Sequence, residues 1–159
     1  MHCLNNLAAG GLLLVLSQYR LQLASVNPNE KIPYSFWGTP EAGRLGSTLF
    51  ARSDTPVHSI LHEAAHYICM PAARRKSSEI DANGSAIEES ACCYLQILLS
   101  DYIGGINRNI LMQDMDQWGY SFRLGSAQHW FYADSEDAQQ WLINQQVLTL
   151  SRHPTWQLR

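Results

Sequence analysis

The chain has 159 residues, of which 46% are hydrophobic and 16% charged, with a formal net charge of -3. That length suits one domain, residues 1–159, and the apolar content excludes disorder. The slight acidity gives no footing for a nucleic-acid backbone partner, which favours a basic domain. The cluster Arg74-Arg75-Lys76 reads as a solvated loop.

Residues 4–24 are expected to form a first helix with Leu12, Val15, Leu16, Tyr19 and Leu23 on one side. Its apolar core from Leu7 to Leu16 is too short to span a bilayer, lacks a preceding Lys or Arg, and is followed by no A-x-A cleavage site. It therefore reads as a buried helix with no stable membrane insertion; a signal peptide at 1–24 is the alternative. Prolines and glycines make 27–47 loop, with a short strand at 34–37, and 48–51 a second strand. Asp54 or Thr55 then caps a helix with Pro56 at its first position, running through Cys69 and ending before Pro71. Residues 71–84 are polar, with Asn83-Gly84 as a turn. Further helices are expected over 86–102, over 107–118, and from Asp134 or Ser135 to about 150, while the aromatic stretch 119–132 has no clear assignment. Cys3, Cys69, Cys92 and Cys93 form no CxxC pair and read as reduced thiols of a cytoplasmic protein.

The chemistry is concentrated in His62-Glu63-Ala64-Ala65-His66. Histidines at i and i+4 lie one turn apart on one helix face and can reach a common Zn2+ ion. Glu63 is turned by about 100° from His62, so its carboxylate meets a water rather than the metal. Such a site hydrolyses a peptide bond: the metal acidifies the attacking water, and Glu63 as general base takes its proton and passes it to the leaving amine. His58 extends the row of imidazoles and is expected to face solvent or cap the helix, with support of a ligand as the next choice.

A catalytic zinc takes three protein ligands and keeps one position open. The metzincin extension needs glycine at 69 and histidine at 72, where this chain has Cys69 and Ala72. A glutamate from the next helix is the remaining common arrangement, supplied by Glu88 or Glu89. Glu88 is preferred because it shares an apolar stripe with Ala91, Cys92, Leu95 and Leu99, whereas Glu89 shares the more polar row of Cys93, Gln96 and Ser100. Tyr120, Arg123 and His129 are candidate transition-state donors, each more readily explained as structural.

Over residues 55–99, HEAAH followed by Glu88, Ala91 and Tyr94 resembles the ImmA/IrrE-type metallopeptidases, a bacterial group of gluzincin-like zinc proteases. Ala65 stands where that family usually has glycine, and Leu98-Leu99-Ser100 replaces its Leu-Met-Pro. The resemblance implies Glu88 as third ligand and a mainly helical α+β, zincin-like domain with an HExxH helix, a second ligand-bearing helix and a small sheet. A peptide or protein is the implied substrate. A zincin-like binding or regulatory domain with a structural metal is the alternative, which the intact Glu63 disfavours; a deformylase-like hydrolase would need a cysteine ligand that only the remote Cys3 offers.

Overall fold

The computed structural model describes residues 1–8, 10–76 and 83–159. Its described elements are α1 (Gly11–Gln18), β1 (Gln22–Ser25), β2 (Gly43–Leu45), β3 (Thr48–Ala51), α2 (Val57–Cys69), α3 (Ala72–Arg75), α4 (Ala86–Ser100), α5 (Arg108–Trp118), α6 (Ala127–Ala133) and α7 (Glu136–Asn144), with single 3-10 turns at Leu4–Asn6 and Arg123–Gly125. The class is α+β and mainly helical. No described helix is long and apolar enough to cross a membrane.

α2 and α4 form the centre. Ile60, Leu61, Ala65 and Ile68 of α2 and Ala91, Leu95, Ile97 and Leu99 of α4 are wholly buried in one apolar cluster. At its start α2 has no side-chain cap. The N-terminal segment serves instead: the carbonyl of His2 accepts from Val57 N at 2.9 Å, meeting one of the amides a helix start leaves open. Pro71 follows the last turn, whose free carbonyls are taken by arginines: Met70 O accepts from Arg75, and Cys69 O from Arg159 at 3.2 Å. α4 is capped by Ser85, whose hydroxyl accepts from Glu88 N.

The sheet has strand order β1-β3-β2, with β1 parallel and β2 antiparallel to β3. β3 falls where the sequence places it, but the first helix does not extend over 4–24. It starts after Gly10 and stops at Gln18, and Arg20 takes a positive φ of 58°. The chain then continues as β1, Leu23 pairing with Leu49. Leu12, Val15, Leu16 and Tyr19 are buried on one side as expected, whereas Leu23 reaches the core from the strand. The strand expected at 34–37 is absent, those residues lying in turns and bends; the edge strand is β2. Gly43 is required in β2, since a side chain there would collide with the carbonyl of Pro33.

The aromatic stretch 119–132 resolves into the 3-10 turn and α6. Phe122 stacks on Trp130 at 4.9 Å, and Phe131 on Tyr94 of α4 at 4.6 Å. Gly119 ends α5 at φ 106°, a left-handed conformation that favours glycine, and turns the chain toward Tyr120. The last helix ends at Asn144 rather than near 150, with Gln146 just beyond it at φ 62°.

Candidate metal centre

α2 presents His62 and His66 on the face toward α4, and α4 answers with Glu89. His66 Nε2 lies 3.0 Å from His62 Nε2. The Glu89 carboxylate spans both rings, Oε1 3.1 Å from His62 Nε2 and Oε2 3.4 Å from His66 Nε2. Donor atoms about 2.1 Å from one centre in a tetrahedron stand about 3.4 Å apart. The three side chains match that spacing and the mixed nitrogen and carboxylate chemistry zinc accepts, so the residues fit the ion.

The charges of His62 and Glu89 also support one another. Burial works against a proton on His62, but Tyr120, Cys93 and the Glu89 carboxylate outweigh it and raise its pKa well above the ordinary value. Burial likewise opposes the charge on Glu89, yet its hydrogen bond and charge contact with His62, and the charge of His66, hold its pKa below the usual carboxylate range. A metal ion can take the place of that proton.

Both rings are held from behind by α4. His62 Nδ1 donates to Gln96 Oε1 at 2.6 Å, and Gln96 is wholly buried with its amide nitrogen 3.3 Å from Met115 Sδ. That contact orients the Gln96 oxygen toward the ring and leaves His62 Nε2 free to bind metal. Cys92 Sγ sits 3.6 Å from His66 Nδ1. Replacement of Gln96 by Leu is therefore expected to weaken zinc binding about 10–100-fold, the usual cost of losing such a partner. Competition with a chromogenic chelator measures it, and unchanged affinity would remove Gln96 from the site.

Glu89, the alternative to Glu88 as third ligand, is the glutamate that lies at the histidine pair. Glu88 is buried, and its Oε2 accepts from Arg74 at 2.5 Å and from Arg159 at 3.2 Å. The reason lies in α4, which is buried on nearly all sides. Its apolar stripe therefore does not single out the carboxylate that meets the histidines: Cys92 of that stripe reaches His66, and so does Glu89 from the polar row, with Gln96 of the same row on His62. The same contacts revise the reading of Arg74 and Arg75 as a solvated loop: Arg74 pairs with Glu88, and Arg75 with the carbonyls of Met70 and Arg159.

Glu63 stands apart from the donor set. Its Oε2 is 3.5 Å from Nε of Arg44, a buried side chain on β2. Burial raises the Glu63 pKa, against the pull of His62 and Arg44, which suits a group that must both take and return a proton. Arg44 escaped the sequence reading because its segment reads as loop, and a buried arginine is recognisable only once a strand carries it inward.

A cavity of about 860 Å³ opens over these residues, lined among others by Ser59, His62, Glu63, His66, Glu89, Trp118 and Tyr120. His58 is buried, contrary to a solvent-facing role, and does not cap the helix. Burial lowers its pKa to about 4, leaving it neutral at pH 7, and its Nδ1 lies 3.4 Å from the Tyr120 hydroxyl. Burial also raises the Tyr120 pKa, which keeps that hydroxyl protonated. Of the three candidate transition-state donors, Tyr120 lines the cavity; Arg123 is paired with Asp134 at 2.8 Å, and neither it nor His129 is among the lining residues.

Comparison with protein-family models, with curated proteins and with solved structures returns no match.

Proposed function

We propose that this chain is a zinc-dependent peptidase with a zincin-like fold, in which His62, His66 and Glu89 hold the ion and Glu63 is the general base. One observation carries the reading. Three convergent donors on α2 and α4 stand beside a carboxylate, Glu63, that is not one of them, and all four line one cavity. A purely structural zinc site usually fills its fourth position with protein and has no use for a base.

When bound, the metal supplies Lewis acidity toward the attacking water and the peptide carbonyl. Glu63 accepts the proton of that water as it attacks and delivers it to the amine that leaves. Arg44 orients the Glu63 carboxylate. Tyr120, protonated and facing the cavity, donates a hydrogen bond to the oxygen on which negative charge develops. Peptide or protein is the substrate class, and cytoplasmic residence fits four cysteines that carry no disulfide. The resemblance to the ImmA/IrrE-type group supports the same chemistry through HEAAH alone, because its match on the next helix runs through Glu88, which pairs with Arg74 and Arg159.

The test is hydrolysis of a mixed peptide library by zinc-loaded protein, read by mass spectrometry. Cleavage that stops with a chelator and returns with zinc is expected. A zinc-loaded, folded protein that cleaves nothing in the library contradicts the peptidase reading in favour of a binding domain.

A further inference from the structure

Glu41 is the one described acidic side chain lining the cavity that neither the donor set nor the base employs. Its place is fixed. The next residue, Ala42, donates its N–H to Ser59 Oγ on α2 at 2.9 Å, and Glu41 N donates to Gly38 O at 3.0 Å. The resulting turn carries Phe36 and Trp37 at one end and Glu41 at the other. Glu41 Oε1 accepts from the Trp118 indole N–H at 2.9 Å. Among the described residues no Lys, Arg or His forms an ion pair with Glu41; the ion contact of Arg44 is with Glu63, at 3.5 Å.

Three large rings share this cavity and remain open to solvent: Trp37 is 79% exposed, Phe36 54% and Trp118 39%. Exposed aromatic rings beside an unneutralised carboxylate, with no described Lys or Arg in the lining, suit a cation better than a neutral apolar group. Ring faces attract a cation through their quadrupole, and the carboxylate adds a charge partner in a recess where screening is reduced. The alkyl stem of a Lys or Arg side chain would lie along the indoles, its head at Glu41.

We propose that Glu41, with Trp37 and Trp118, forms a specificity pocket for a Lys or Arg side chain of the peptide substrate. This rests on the peptidase reading above, and the experiment separates the two. Peptides with blocked ends, identical except for Lys, Arg, norleucine or Glu at one position moved along the chain, are titrated calorimetrically into zinc-loaded Glu63→Gln protein. Hydrolysis by wild type is followed in parallel. At one position the Lys and Arg peptides should bind about tenfold tighter than the norleucine peptide. Glu41→Gln should erase most of that margin, Glu41→Lys should reverse it in favour of the Glu peptide, and Trp37→Leu, a change on an exposed ring, should reduce it with folding intact. Equal binding of Lys and norleucine peptides at every position, no binding of any peptide, or a margin that survives Glu41→Gln overturns the pocket. A Glu41-dependent margin in a protein that cleaves none of the peptides leaves the pocket standing and removes the peptidase reading. Cleavage without a margin does the opposite.

Discussion

The Glu63→Gln protein is expected to keep its zinc and to hydrolyse peptides about 10²–10⁴-fold more slowly than wild type, the usual contribution of a general base. Glutamine has nearly the shape of glutamate, so the packing of the side chain beside Arg44 survives. It cannot take a proton from the attacking water. The loss should fall on kcat more than on KM, because the missing interaction belongs to the transition state. Zinc content is expected to stay at wild-type level, since the group that could hold the ion is His62, His66 and Glu89 and does not include Glu63. An undiminished rate removes Glu63 as the base; a loss of zinc would make it a ligand.

Glu88 and Glu89 are adjacent, yet their replacement should have opposite signatures. Glu89→Gln removes a donor from the histidine pair and is expected to weaken zinc binding by more than about 100-fold, beyond the loss caused by removing a partner of a ligand. Glu88→Gln should leave zinc affinity within a few-fold of wild type and instead lower stability. Glu88 is buried between Arg74 and Arg159, at 4% side-chain exposure against 27% and 26% for the arginines. Breaking a buried pair from one side costs about 3–5 kcal/mol, and the partial exposure of the arginines puts the expectation at roughly the lower end of that range. Chemical denaturation with zinc titration of both variants reads the two effects together. A Glu88→Gln protein of normal stability that has lost zinc would restore Glu88 as the ligand.

Much of the site is legible in the sequence because its elements are punctuated there. Pro56 and Pro71 bracket α2, and HEAAH lies inside that span, so the two histidines and Glu63 follow from helix geometry alone. Which glutamate completes the set is not legible. An apolar stripe identifies the buried face of a surface helix, but α4 is buried almost all round. There the polar row is the informative one, since Glu89 and Gln96 meet the imidazoles of α2. The first helix misleads for another reason. Leu23 continues the helical row of Leu12, Val15, Leu16 and Tyr19, but it suits a strand as well, and its pairing with Leu49 decides for the strand. β2 is three residues long in a segment rich in Gly and Pro, too short for its period to show, and with it Arg44 and the placement of Glu41 stay hidden.

A zinc-edge anomalous difference map from crystals of the zinc-loaded protein tests the metal centre most directly. The expected result is one strong peak per chain within about 2.2 Å of His62 Nε2, His66 Nε2 and a Glu89 carboxylate oxygen, with Glu88 still on Arg74 and Arg159. A peak coordinated by Glu88 with Glu89 turned to solvent, or no peak at the histidine pair, would contradict it.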